Sequence, residues 1–304
     1  MTTAPATVAS DGLFTRENLD STLAEVCAAT GLDPAGARLL RFTNNAVFLL
    51  RSRPVVVRIV GSVSLRHRVD KVVRVARWLA EHDVPAVRLH GGVEQPVRVG
   101  PYAATVWDAV PEGGAPPRPR DLARLLRRVH ALPAPDGLPA WDPLDDVRRR
   151  VSEAEGLDGE SLDFLRRRLA EAAQRVAALD FPLDTGSVHG DAHLGNLIPS
   201  PAGPVLCDFD SSCVGPPEWD LTPFAVGVLR FGESAADYRE LCDSYGFDVT
   251  RWDGFAVLRE VRELKLITSV LPIMESSPEV RPELLRRFRD FRAGNSAAQW
   301  ARYT

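Results

Sequence analysis

The 304-residue chain has few lysines and cysteines, and it lacks any long apolar run. Only two of its 37 basic residues are lysines, Lys71 and Lys265, and its arginines are interspersed with acids to a net charge of −4. Because no basic block stands apart, nucleic acid is not expected as a partner. The four cysteines include no C-x-x-C pair, which argues against a structural zinc site. No stretch approaches the roughly 18 apolar residues of a membrane helix, so no membrane partner is expected.

The remaining composition is that of a globular protein. Hydrophobic residues make up 45% and charged residues 26% of the chain, which excludes an intrinsically disordered or collagen-like protein. The first residues, MTTAPATVASDGLF, have neither the basic start nor the apolar core of a signal peptide. We therefore expect a cytoplasmic protein with reduced thiols, either a monomer or a homodimer.

Apolar periodicity divides the chain into a strand-rich first part and a helical remainder. Residues 39–60 predict three short strands, and further strands are predicted over 87–89, 97–99 and 102–107. Apolar residues at helical spacing predict helices over 17–30 and 69–80 and, after the Pro- and Gly-rich stretch 111–120, around 122–129, 162–176, 255–271 and 284–291. The predicted fold class is α+β, with a small β-rich N-terminal lobe of residues 1–107 and a larger, mainly helical C-terminal lobe of residues 108–304.

One segment interrupts the helical half. Residues 186–210, GSVHGDAHLGNLIPSPAGPVLCDFD, contain two short apolar strands around a turn with proline and glycine, which predicts a β-hairpin. Because a hairpin brings its two outer ends together, Asn196 is expected beside Asp208, with Asp191 nearby.

These three side chains suit phosphoryl transfer from a nucleoside triphosphate. The reaction needs a carboxylate that orients the attacking hydroxyl and accepts its proton, and Asp191 supplies one. It also needs hard oxygen ligands for Mg²⁺, which Asn196 and Asp208 supply. The order Asp-x-x-x-x-Asn, then a hairpin, then Asp-Phe repeats that of the protein-kinase catalytic motifs.

The segments HGDAHLGN (189–196) and CDFD (207–210) resemble those of the aminoglycoside phosphotransferase and choline kinase-like family. The later GPPEWDL (215–221) resembles the segment that follows there, and the similarity extends over roughly residues 38–270. The resemblance implies a two-lobed, protein-kinase-like fold with ATP or GTP in its cleft. It also implies that Asp191 is the catalytic base and that Asn196 and Asp208 are Mg²⁺ ligands.

The nucleotide is expected on the N-terminal lobe. Arg58 stands where protein kinases carry a phosphate-binding strand lysine, and a guanidinium can also grip phosphate. The Gly-rich loop is replaced by Thr43-Asn44-Asn45, which is either a set of phosphate donors or only a hairpin turn. The helix glutamate that partners the lysine is missing, with Val72 at its position. The expected purine-binding hinge is the backbone of Trp107, Asp108, Ala109 and Val110.

The acceptor is expected to be a small hydroxylated molecule bound over Asp191. An aminoglycoside-like polycation would need a cluster of acids, and the candidate substrate-binding side chains are Asp210, His193, Glu218, Glu260 and Glu263. However, Arg259 and Arg262 flank the two helix glutamates, so ordinary ion pairs explain that pattern as well. Another hydroxylated natural product or metabolite is an equal candidate. We expect His189 and Asp220 to hold the catalytic loop.

Two other functions stay open. The spacing His189-x-Asp191-x-His193 can chelate a transition metal, as in a metal-dependent hydrolase, but it leaves Asn196 and Asp208 without a role. A non-catalytic, kinase-like nucleotide-binding module would account for Arg58 and the missing Gly-rich loop, but not for the intact motif residues. The sequence also leaves open whether the role is antibiotic resistance, self-protection, biosynthesis or metabolism.

Overall fold

The computed structural model describes residues 16–42, 45–61, 63–154, 156–274 and 277–303. Its first part contains the helices and strands α1 (Arg16–Thr30), β1 (Arg38–Phe42), β2 (Asn45–Leu49), β3 (Val55–Val60), α2 (Val69–Glu81), β4 (Val97–Val99) and β5 (Tyr102–Asp108). The strands form an antiparallel sheet in the order β1-β2-β3-β5-β4. The three predicted strands over 39–60 and the helix over 69–80 are confirmed.

Alternation of side chains along β3 explains how the sheet buries its core. Val55, Val57 and Ile59 are buried on one face of this central strand, and Leu23 and Val26 of α1 belong to the same apolar cluster. Successive strand residues point to opposite faces, so Arg58 lies on the face away from that cluster.

The second part is mainly helical. Its helices are α3 (Pro119–His130), α4 (Asp145–Ser152), α5 (Gly159–Ala177), α6 (Glu218–Phe231), α7 (Ala235–Tyr245), α8 (Phe255–Thr268) and α9 (Arg281–Arg292). Two short antiparallel strand pairs lie between α5 and α6 in the sequence: β6 (Gly186–Val188) with β9 (Cys213–Gly215), and β7 (Leu197–Ile198) with β8 (Val205–Leu206). None of the helices in these described ranges is long and apolar enough to span a membrane.

Three helices and three strands differ from the sequence-based expectation, and two of these strands, β6 and β9, were not predicted. Helices α4, α6 and α7 were not predicted; α4 is a two-turn, strongly charged segment, and α6 is buried nearly all round, so it has no single apolar stripe. The predicted strand over 87–89 is wrong, because only isolated bridges from Ala86 to Leu206 and from Leu89 to Trp107 form there.

The chain divides into two compact units, and their boundary differs from the predicted one at residues 107 and 108. The first unit comprises the chain up to Pro117 together with Pro135–Leu138 and Gly195–Ser212; the second comprises Arg118–Ala134, Pro139–Leu194 and the rest. Residues after β5 stay with the sheet, since the Ala109 N–H donates to the Pro54 carbonyl at 2.8 Å. The β7–β8 hairpin joins the first unit through the Leu206 N–H, which donates to the Pro85 carbonyl at 2.9 Å.

Candidate active site

The β7–β8 hairpin aligns Asn196 with the start of the Cys-Asp-Phe-Asp motif, as the sequence predicts. Leu197 pairs with Leu206, and the next residue pair outward is closed by the Cys207 N–H, which donates to the Asn196 carbonyl at 3.0 Å. Asp208 follows directly. The hairpin therefore carries an amide oxygen and a carboxylate at its open end, and both are hard donors of the kind that Mg²⁺ prefers.

Asp208 has an unusual backbone conformation. Its φ of 68° and ψ of 69° lie in the left-handed region, which a non-glycine residue adopts at a cost of about 1–2 kcal/mol. Such a strained residue persists only where the surrounding structure holds it. Here β8 precedes it, and a 3-10 turn at Phe209–Ser211 follows it at once.

Arg58 of β3 pairs with Asp210, the last residue of the motif. Its Nη2 lies 2.6 Å from Asp210 Oδ2, and the two side chains are only 14% and 19% exposed. The Lys71 ammonium of α2 donates to the Asp210 backbone carbonyl, also at 2.6 Å. Burial opposes ionisation of Asp210, but the Arg58 guanidinium outweighs it and holds the pKa of Asp210 below its ordinary value.

This ion pair shows which acid contacts Arg58 in a chain that lacks the helix glutamate. Asp70, in the first turn of α2, forms an exposed ion pair with Arg98 at 2.8 Å and is not the partner of Arg58. Asp210 instead supplies the carboxylate that orients the strand cation. The sequence analysis predicted that Asp210 binds substrate. The structure places its carboxylate against Arg58.

The predicted hinge follows β5, and two of its backbone amides are occupied. The Asp108 N–H donates to the Arg88 carbonyl at 2.9 Å, and the Ala109 N–H donates to Pro54. The Trp107 side chain is buried and donates through Nε1 to Thr105 Oγ1 at 2.8 Å. Within the described ranges, no backbone acceptor is found for the Val110 N–H.

The polar turn before β2 is described only at its end. Asn45 opens β2 opposite Val60 of β3. Thr43 and Asn44, the other two predicted phosphate donors, lie outside the described residues.

The loop that carries Asp191 is held by Asp220 of α6. The Oδ2 atom of this buried carboxylate accepts the His189 N–H and its Oδ1 accepts the Gly190 N–H, both at 2.7 Å. Trp219 adds a bond from its Nε1 to the Gly190 carbonyl at 3.0 Å. Gly190 itself has a φ of 83°, which suits glycine. The structure thus places Asp220 and the His189 backbone around the turn just before Asp191.

His130 of α3 completes this support. Its Nε2 lies 3.0 Å from Asp220 Oδ2, and its Nδ1 lies 2.8 Å from the Tyr245 hydroxyl. Both ring nitrogens have partners and the side chain is nearly buried, as expected for a core histidine.

Asp191 projects a partly exposed carboxylate that faces cations of α8. Its Oδ1 lies 2.6 Å from Arg262 Nη1, and its Oδ2 lies 4.0 Å from His193 Nε2. Burial works against its ionisation, but Arg262 and Lys265 outweigh that effect, so its pKa lies well below the ordinary value. Burial also lowers the pKa of His193, which keeps the imidazole neutral near pH 7.

The predicted substrate-binding glutamates are engaged inside the fold. Glu263 is buried and accepts from Arg230 and Arg259, each at 2.7 Å, while Glu260 pairs with Arg168 and Arg175 of other elements. Glu218 is fully buried and accepts the Leu183 N–H at 2.7 Å. The three carboxylates predicted to bind substrate are thus placed inside the fold: arginines pair with Glu260 and Glu263, and within the described ranges Glu218 keeps a buried Oε2 without a hydrogen-bond partner.

The His189-x-Asp191-x-His193 spacing does not produce a metal site. Among the described residues, no three His, Cys, Asp or Glu side chains are grouped so that they could hold a metal ion. His189 points its Nδ1 to the Asp191 N–H at 3.4 Å instead. The geometry that a metal-dependent hydrolase would require is therefore not formed by these three residues.

Sequence reasoning missed three cations: Lys71, Arg262 and Lys265. Arg262 was treated as a flanking surface residue, and the lysines were treated only as composition. The available signal was their rarity, since the chain uses lysine twice and both lysines lie beside motif carboxylates.

Comparison with known proteins assigns the family. The family model described as "Phosphotransferase enzyme family" matches residues 38–260. Among solved structures, choline kinase LicA from Streptococcus pneumoniae is similar with a TM-score of 0.67 and 16% identity, over 91% of this chain and 98% of that one. Amicoumacin kinase hAmiN, solved with AMP-PNP and Ca²⁺, is similar with a TM-score of 0.68 and 13% identity, over 93% and 96%.

An aminoglycoside phosphotransferase, APH(3'')-Id from Streptomyces rimosus, is similar with a TM-score of 0.57 and 22% identity, over 81% of this chain and 98% of that one. At these identities the structural matches establish the α+β fold alone. A search of curated protein sequences finds no match. Because the family model covers most of the chain and includes the whole motif region, the chain belongs to the phosphotransferase enzyme family, whose members transfer a phosphoryl group to a hydroxyl.

Proposed function

We propose that the protein is a small-molecule kinase that transfers the γ-phosphoryl group of ATP or GTP to a hydroxyl group of a small acceptor. The observation that carries the proposal is the partly exposed Asp191 carboxylate, on a loop whose preceding two amides are bound by the buried Asp220. A carboxylate held in this way can orient a hydroxyl without rearranging during the reaction.

In this proposal Asp191 is the catalytic base. The acceptor hydroxyl donates its hydrogen bond to the carboxylate and its oxygen attacks the γ-phosphorus. As the new O–P bond forms, the bond to the β,γ-bridging oxygen breaks and the nucleoside diphosphate leaves, while the proton passes to Asp191. His193 lies on the acceptor side of this carboxylate, as a neutral imidazole.

Asn196 and Asp208 would hold Mg²⁺. The donor set fits this ion, because the hairpin presents one amide oxygen and one carboxylate, and Mg²⁺ in kinases keeps waters and nucleotide phosphates as its other ligands. When bound, the ion offsets negative charge on the phosphate oxygens. Asp208 has a strained, left-handed backbone conformation, as residues at functional sites often do, and this conformation fixes the orientation of its carboxylate.

Arg58 would bind the nucleotide phosphates, oriented by Asp210. One N–H of the guanidinium contacts the Asp210 carboxylate, and the planar fork of a guanidinium matches the geometry of phosphate oxygens. Among the described residues the Val110 N–H of the hinge segment has no backbone acceptor, so we assign it to the purine edge. Thr43, Asn44 and Asn45 stay candidates for additional phosphate contacts.

The acceptor belongs to the hydroxylated natural products or metabolites. The similar structures include kinases named for choline, amicoumacin and aminoglycosides, so the fold serves chemically different acceptors. Glu218, Glu260 and Glu263 are left out of the proposed acceptor site. Antibiotic resistance is one of the roles that such a kinase can serve.

The test combines binding with turnover in the full chain. We expect MgATP or MgGTP to raise the free energy of unfolding by about 2.7 kcal/mol at 100 times its Kd, and the Asp208→Ala variant to lose this stabilisation at limiting Mg²⁺. Asp191→Asn should retain nucleotide binding and lose about 10²–10⁴-fold in turnover with any acceptor found by screening.

Asp163→Asn, which removes an exposed carboxylate of α5, is the matched control and should behave as the parent protein. Absence of stabilisation by either nucleotide would refute the proposal. A different result would favour a non-catalytic nucleotide-binding module. In that case the parent protein binds nucleotide but transfers phosphate to no acceptor, and its slow hydrolysis of the nucleotide is unchanged in Asp191→Asn.

A further inference from the structure

The surroundings of Asp191 are cationic. Arg262 and Lys265 stand three residues apart on α8, and residues at this spacing are neighbours on one side of a helix. Arg262 contacts the Asp191 carboxylate directly, and Lys265 acts on it electrostatically. The carboxylate of Asp146 and the guanidinium of Arg150 also act on Lys265, with opposite signs. Counted together, these three cations outnumber the two acids, which leaves a net positive charge beside the base.

Arg262 has unused binding capacity. Its side chain is only 12% exposed, and its single hydrogen bond within the described ranges joins Nη1 to Asp191 Oδ1. A guanidinium carries five N–H donors in a planar fork that matches the oxygens of a carboxylate or phosphate. Most of this fork is therefore free to bind a ligand.

The Lys265 ammonium has fewer hydrogen-bond partners than the Arg262 guanidinium. Its Nζ lies 5.5 Å from the ring centroid of Trp219, and in the described part of the chain this ammonium donates no hydrogen bond. Burial lowers its pKa, and the nearby Asp191 opposes that shift. The Lys265 side chain is half-buried, and an anionic ligand would supply the acceptor that its ammonium lacks among the described residues.

The acids that a cationic acceptor would need are occupied. Glu263 and Glu260 of the same helix are both bound by arginines of the fold, as described above. A polycation brought to Asp191 would therefore meet the charges of Arg262 and Lys265, which Asp191 and the Arg149-paired Asp146 offset only in part.

We propose that the acceptor carries an anionic group, a carboxylate or a phosphate, which Arg262 and Lys265 bind while its hydroxyl lies at Asp191. The inference rests on the proposed kinase function and narrows its acceptor class. It also couples recognition to catalysis: an acceptor anion that draws Arg262 away from Asp191 removes a cation from the base and makes it a better proton acceptor.

The experiment uses three acceptor probes that share one polyol chain and differ in charge: gluconate, sorbitol and glucamine. MgATP-dependent phosphorylation of each is measured with the full chain. We expect kcat/KM for gluconate to exceed that for sorbitol at least about 10-fold, with glucamine lowest. Arg262→Gln and Lys265→Met should each lower kcat/KM for gluconate by about 10–100-fold, chiefly through KM, and leave the KM for ATP within twofold.

Arg259→Gln is the matched control, because Arg259 lies on the same helix but pairs with Glu263. It should leave the order of the three probes unchanged. A preference for glucamine or sorbitol, or equal rates with the three probes, zero included, would overturn the anionic-acceptor proposal. Mg²⁺-dependent stabilisation by nucleotide is measured separately. If it is observed, the kinase proposal stands even when the anionic-acceptor proposal is refuted.

Discussion

The Arg58–Asp210 pair makes a prediction that can be tested without knowing the acceptor. The perturbation is a double-mutant cycle of Arg58→Gln and Asp210→Asn, which removes each charge and keeps much of the shape. Two unit charges about 4 Å apart attract by about 4 kcal/mol at an effective dielectric constant of about 20, before the cost of desolvation.

The burial of the pair sets the expected net value. Exposed pairs contribute about 0.2–1 kcal/mol, and breaking a fully buried pair costs about 3–5 kcal/mol. Because the two side chains are 14% and 19% exposed, we expect a coupling energy of about 2 kcal/mol. Its sign with pH follows from the lowered pKa of Asp210: the contribution is complete above the ordinary value of 3.8 and is lost as pH falls through the lower value of the folded state.

The assay is urea unfolding of the four proteins at neutral pH, repeated at decreasing pH, together with the Kd for MgATP or MgGTP from calorimetry. The control cycle uses Arg98→Gln and Asp70→Asn, an exposed pair in the same unit, for which we expect about 0.5 kcal/mol. Asp210→Asn should also raise the nucleotide Kd, because an unoriented Arg58 binds phosphate less well. A coupling equal to that of the control, or an unchanged Kd, would refute the assignment of Asp210 as the partner of Arg58.

Three further results are expected. Asp220→Asn should lower kcat by about 10–100-fold with little change in nucleotide affinity, because an amide can accept only one of the two loop N–H groups in the same way; steady-state kinetics with an unchanged kcat would contradict it. Glu263→Gln should cost about 3–5 kcal/mol in unfolding experiments, since it leaves the buried Arg230 charge uncompensated. Normal stability with a loss of acceptor binding would instead restore Glu263 to the substrate site. Gly190→Ala should cost about 1–2 kcal/mol at its φ of 83°, whereas Gly159→Ala, in open space at the start of α5, should be neutral.

The motif region could be predicted because its information is local. Asn196 and Asp208 flank a short hairpin, and a hairpin fixes which residues stand opposite each other. The observed bond between the Cys207 N–H and the Asn196 carbonyl is the direct consequence of that register. The same holds for α2, whose buried valines repeat at helical spacing.

Partners distant in sequence could not be predicted from the same patterns. Arg58 and Asp210 are 152 positions apart, and no periodicity connects them. Helix α6 was missed for a related reason: Glu218, Asp220 and Thr222 are polar in sequence but buried in the fold, where each has at least one hydrogen-bond partner. A hydrophobic stripe cannot reveal a helix whose polar residues are also inside.

The sequence of helix α8 already indicates which of its charged residues can pair with one another. At 3.6 residues per turn, Arg259 and Glu263 lie about 40° apart, and Arg262 and Lys265 about 60° apart, and the centres of the two pairs are about 110° apart around the helix axis. The first pair is an ion pair of opposite charges and needs nothing further. The second places two like charges side by side, which destabilises a helix unless an anion faces them. Asp191 supplies one such charge, and the remaining positive charge is the reason to expect that the acceptor supplies another.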